Sequence, residues 1–124
     1  MPNLVEPNNL GDLLKYEAPQ FYSRDLLTVA NGQNLALGAV VGLKTSDGKA
    51  RVLAPAANDG TEIAAGVLLM AAQPSGADAQ ALAVVRHAIV AETTLVWPAG
   101  ITANQKTAAL GQLKAIGILV RKGA

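Results

Sequence analysis

The residues best equipped for chemistry in this chain are few and scattered. His87 is the only histidine, and it follows Arg86 inside a long apolar run. A histidine base needs an orienting partner and a nucleophile or substrate beside it. The nearest carboxylate in sequence is Glu92, so His87 reads as a strand residue facing solvent or a subunit boundary. Arg86 beside it could pair with an acid across an interface. Asp47, Asp59 and Asp78 each stand alone in a turn segment, where an Asp side chain supports turn geometry rather than Ca²⁺. Ser23, Ser46 and Ser75 lie in polar or turn contexts, and no Gly-x-Ser-x-Gly elbow occurs. Gly38-x-x-x-Gly42 lacks the following Lys-Ser/Thr of a phosphate cradle. These glycines read as positions of positive φ or close backbone approach. With no cysteine and one histidine, a metal constellation is not expected. The expectation is no catalytic residue, no cofactor, no metal, and no enzyme.

The elements that carry these residues read mostly as β. Residues 25–30 form a strand candidate, closed by the Asn31-Gly32 turn signal. Residues 39–44 and 50–53 flank Ser46-Asp47-Gly48 and read as a hairpin. Residues 54–61 are a loop. The stretch from Asn58 to Ala72 opens on the Asn58-Asp59-Gly60 turn and predicts a buried strand over 63–72, punctuated by Gly66. Pro74 to Asp78 is a turn. Ala79 to Glu92 is apolar at odd and even positions, which predicts strand with both faces covered. Trp97, the only tryptophan, is held extended by Pro98 and reads as a core plug or an interface anchor. Thr102 and Gln105 have the spacing of a capping box, predicting a helix to about Ala115 with Leu110 and Leu113 on one face. Residues 116–120 read as a closing strand and 121–124 as an exposed tail.

The 124 residues suffice for one domain with a core. Apolar residues make up 51% and aromatics 3%, so that core is built from Ala, Val, Leu and Ile. Such small side chains each bury little area, which favours further burial between subunits. A net charge of +1 without a basic patch argues against direct nucleic-acid binding. No stretch reaches the length of a membrane helix, and the N-terminus lacks the pattern of a signal peptide. Synthesis in a cytoplasm is expected. Residues 1–22 differ from the rest. They hold Pro2, Pro7, Pro19 and Asn8-Asn9, yet carry Leu4, Leu10, Leu13, Leu14, Tyr16, Phe21 and Tyr22. They read as an arm, loose alone and ordered on a partner, preceding a domain over 23–124.

With these residues in hand, the chain resembles the phage head decoration proteins of the lambda type. One part of the resemblance is Val29-Ala30-x-Gly32-Gln33-x-Leu35-x-x-Gly38-x-Val40-x-Gly42. A second is Asn58-Asp59-Gly60 followed by Ala64-Ala65-Gly66-Val67-Leu68. The third is Leu95-Val96-Trp97-Pro98, the capped helix with Lys106-Thr107, and Ile116 to Val120. The resemblance implies an α+β, mostly β fold: a small tulip- or barrel-like β domain with one helix in the C-terminal half and an extended N-terminal arm. It implies a homotrimer at three-fold and quasi-three-fold positions outside the expanded head. There it would clamp the major capsid protein against packaged DNA, with the arm adding to capsid strands. Residues 1–22 match that arm in position and character. The competing reading is a small Gly-rich β binding module, of carbohydrate or adhesion type, with a site near Trp97.

Overall fold

A computed structural model describes residues 13–17 and 23–122. Eight strands appear: β1 (Leu14–Glu17), β2 (Arg24–Val29), β3 (Val40–Leu43), β4 (Ala50–Val52), β5 (Gly66–Leu68), β6 (Ala79–Val84), β7 (Ala88–Ala91) and β8 (Ile118–Arg121). A 3-10 turn follows β7 at Glu92–Thr94, and an α-helix, α1, spans Ala103–Ala115. Five strands close into a barrel in the order β2-β4-β3-β5-β6. The remaining three form a separate sheet, β1-β7-β8. Among the described residues the fold is thus mostly β, with a closed barrel and one long helix, as the resemblance implies.

Two cores share one wall. Leu27, Val29, Val41, Ala50, Leu68, Ala81 and Ala83 point into the barrel, where many of the side chains are Ala. Val40, Val67 and Val84 leave the same strands on the opposite face. There they meet Val90, Ile118, Leu113 and Leu13 under the small sheet and α1. Both faces of the β3-β5-β6 wall are therefore dry, which explains strands that are apolar at successive positions.

Local signals placed several elements. The Thr102 hydroxyl accepts from Gln105 N–H (3.1 Å), and the Gln105 side chain accepts from Thr102 N–H (3.0 Å). That is the expected capping box, and it starts α1 where the sequence puts it. The turn through Asp47-Gly48 joins β3 to β4 as an antiparallel hairpin.

Two expectations need correction. The strand read over 63–72 is confined to Gly66–Leu68: Ala65 N–H bonds Val41, one residue out of the register that pairs Gly66 with Val41, and the chain bends at Leu69–Met70 before Ala72 bridges to Leu35. The run from Ala79 to Glu92 is two strands in two different sheets, not one. It breaks at Val85–His87, where Val85 N–H donates to Ser23 C=O (2.9 Å) and His87 takes φ 47°. His87 is consequently a turn residue, exposed, rather than a strand residue. The Asn31-Gly32 turn stands just past the end of β2, as read. β2 pairs with β6 along its whole length and with β4 at Val29–Ala50.

Candidate functional site

The side chains that could do chemistry are spread over the molecule and spoken for. Arg86 pairs with Asp25 (2.7 Å) within the chain. The buried Ser23 hydroxyl donates to the backbone carbonyl of His87 (2.7 Å), so the Ser23–His87 proximity does not aim the hydroxyl at the imidazole. Among the described residues no three His, Asp or Glu side chains come together as a metal site. No helix there is long and apolar enough to cross a membrane.

The acidic turn residues serve structure. Asp59 accepts from the backbone N–H (3.1 Å) and hydroxyl of Thr61, closing the turn in which Gly60 N–H donates to Glu62 Oε1 (2.8 Å). Asp47 takes both guanidinium nitrogens of Arg51 (3.0 and 2.8 Å) and the Lys49 N–H (2.9 Å). Asp78 accepts from Asn31 N–H (2.9 Å) and pairs with Lys49 (2.6 Å), joining two loops. These bonds favour the ionised carboxylates. Arg51 holds Asp47 well below the usual carboxylate range, the Thr61 hydroxyl lowers Asp59, and Lys49 lowers Asp78. A carboxyl with a depressed folded pKa stabilises the fold above its unfolded value near 4 and ceases to do so as pH falls through the folded value. The urea midpoint is therefore expected to be flat from pH 7 to 5 and to drop below about pH 4. Asp47→Asn should lower the midpoint at pH 7 and flatten part of that acid drop. An acid profile identical to that of the parent would remove Asp47 from this account.

Two clefts bear on function. One of about 290 Å³ lies between the 53–57 loop and Pro98–Ile101. Among the described residues lining it, the one polar side chain, Gln105, is engaged in the helix cap. Trp97 is half-buried, packs on the second core and does not line this cleft. A ligand pocket needs convergent polar groups, which this cleft does not offer. The other cleft, about 510 Å³, runs between α1 and the outer edge of β8. The sequence reading treated Arg121 and Lys122 as tail; the structure puts Arg121 at the end of β8, beside Lys114 of α1.

The arm residues fall on both sides of the described region. Leu4, Leu10, Phe21 and Tyr22 lie outside the described residues. Leu13 is fully buried in the second core, and Leu14 packs against it. Leu14–Glu17 is a strand on β7, with Tyr16 51% exposed. Glu17 then grips Arg24 through two bonds (2.7 and 2.6 Å), tying β1 to the start of β2. Residues 13–17 thus belong to the folded unit. Other large apolar side chains on the surface are Leu26 (63% exposed), Ile63, Met70, Val52 and Val96. Of the structural positions, Gly38 has φ 92° and lies against the Thr94 carbonyl. Gly60 sits in the Asp59 turn, Gly66 opens β5, and Pro98 rims the smaller cleft.

The described residues form a small β barrel backed by a three-stranded sheet and a capped helix. The family model of the bacteriophage lambda head decoration protein D matches residues 3–118. The chain belongs to that family of phage head proteins, whose members decorate the capsid. The match begins at Asn3, so the family pattern runs into the segment ahead of Leu13. No curated protein matches the chain.

Proposed function

We propose that this protein is a structural cement of the phage head. Three copies associate and bind the outside of the expanded capsid at three-fold and quasi-three-fold positions. There they hold neighbouring major capsid protein subunits together against the pressure of packaged DNA. The family match over residues 3–118 carries this reading. The composition supports it: an Ala-rich barrel and exposed Leu26, Tyr16 and Met70 leave apolar surface to bury between copies and against the head. A clamp needs no catalytic group, no cofactor and no nucleic-acid contact. It needs modest contacts repeated over a symmetric shell, where three engaged copies gain avidity. The arm read over residues 1–22 pairs with capsid strands through the backbone of its part ahead of the buried Leu13. The protein is made in the host cytoplasm and ends on the capsid exterior.

The test is co-sedimentation with expanded and unexpanded heads, together with mass in solution. The expected result is saturable binding to expanded heads alone. The expected mass is about three times the 12.7 kDa of one chain, and the loaded heads should resist heat. Failure to bind expanded heads overturns the reading.

A further inference from the structure

The groove of about 510 Å³ between α1 and β8 is one-sided in charge. Lys114, Arg121 and Lys122 line it against the single acid Glu92. The whole chain carries a formal net charge of only +1, so the groove is more positive than the protein and the rest of the chain is net negative. Elsewhere the cations are used within the fold: Arg24, Lys49, Arg51 and Arg86 each hold a carboxylate. Among the described residues, Lys114, Arg121 and Lys122 form no ion pair, with Glu92 or any other acid.

The walls suit an extended chain. Leu110, Gly111 and Lys114 lie three and four residues apart on one face of α1, and Val120 and Arg121 of β8 line the other side. Glycine is a poor helix former, so Gly111 inside α1 asks for a reason. Its own fold supplies none, since a Cβ there meets nothing within 4 Å. A bare helix position on a groove wall leaves room for a backbone from outside. β8 offers that backbone a partner. Ala88 N–H donates to Gly117 C=O (3.1 Å), and β7 and β8 then run parallel from Ala88–Ile118 onward. Alternation therefore turns the N–H and C=O of the partly exposed Val120 away from β7.

We propose that this groove receives an extended acidic segment of the head shell, laid between α1 and β8 past Gly111. Its carboxylates meet Lys114, Arg121 and Lys122, its backbone bonds Val120, and an apolar side chain rests on Leu110. Complementary charge steers and orients such docking. A second copy of this chain is the poorer occupant, because groove against groove doubles the positive charge on one seam. The partner's place on the head rests on the decoration reading, while the site lies on the described fold and is separate from the arm.

Co-sedimentation of the full chain with expanded heads tests it. Lys114→Glu combined with Arg121→Glu should weaken loading about tenfold or more. Gly111→Leu should do the same by filling the groove, with a urea midpoint at or above the parent's. Lys106→Glu, exposed on the same helix outside the groove, should load as the parent does. Amide exchange at Val120 should be about tenfold or more slower on loaded heads than in the free protein. Groove variants that keep the parent's urea midpoint and load heads equally well overturn the proposal. An equal loss in Lys106→Glu also overturns it, because it assigns the effect to charge in general, and so does unchanged Val120 exchange on loading. A parent chain that fails to load heads overturns the decoration reading and this partner with it, an outcome distinct from a parent that loads and groove variants that load alike.

Discussion

A chain that begins at Ser23 is expected to lose its cooperative unfolding transition, while one that begins at Leu13 keeps it. Leu13 is fully buried among Val90, Leu113 and Ile118 in the second core. Emptying such a site to alanine costs about 2–5 kcal/mol by itself. Starting at Ser23 removes the whole side chain and all of β1. That bares the edge of β7 along Ala88–Val90 and deletes the Glu17 partner of Arg24. The half-buried Arg24 loses its carboxylate, so the ion-pair term adds only modestly. The sum approaches the 5–15 kcal/mol that holds a domain of this size together. Urea unfolding followed by Trp97 fluorescence is the measurement. A Ser23 chain that unfolds at the parent's midpoint would show β1 to lie outside the cooperative unit. The result decides how the arm is tested on heads. A cut at residue 22 confounds lost binding with lost fold, whereas a cut before Leu13 removes the arm alone.

That boundary shows where sequence reading reached its limit. The capping box at Thr102 and Gln105 was legible because its partners are three residues apart and their bonds are local. The turn at Asp47-Gly48 was legible for the same reason. β1 was not. Its four residues follow a proline- and asparagine-rich stretch, and their partner lies at Ala88–Val90, more than seventy residues on. The closure of β2 on β6 and the parallel pairing of β7 with β8 are equally non-local. Apolar side chains on both faces say that a strand is covered but not by which neighbour. The break at Val85–His87 hid for a related reason. The run stays apolar across it because both resulting strands border the second core through Val84, Ala88 and Val90. The order of the three motif groups pointed to the capsid family. Nothing in sequence showed Lys114 beside Arg121, which the fold brings together along the edge of β8.

Gly42→Ala is expected to destabilise the barrel by about 3 kcal/mol or more, the upper range for overpacking a filled site. The cause is contact rather than conformation, since Gly42 is not among the positive-φ glycines. A Cβ at Gly42 would sit 2.7 Å from Thr61 Cα and 2.8 Å from its carbonyl carbon. These are backbone atoms, which cannot rotate away as a side chain could. Neither side can retreat easily. Gly42 is fixed opposite Arg51 in the β3–β4 ladder. Thr61 is buried, gripped by Asp59, and its carbonyl accepts from Ala54 N–H (2.9 Å). Moving the Thr61 loop would therefore break the turn and a loop bond together. Gly111→Ala is the control, because a Cβ there meets nothing within 4 Å and the position lies inside α1. It should raise stability by about 1 kcal/mol, the ordinary helix difference between Gly and Ala. Urea midpoints that shift in the same direction for both variants would defeat the close-approach account. Opposite shifts would show that Gly42 is required for the close approach of the Thr61 backbone. Gly38 meets the Thr94 backbone and Gly42 the Thr61 backbone. Gly38 lets the 3-10 turn approach just ahead of β3 and Gly42 lets the Thr61 loop lie on β3 itself, the strand whose Val40 and Val41 reach both cores at once.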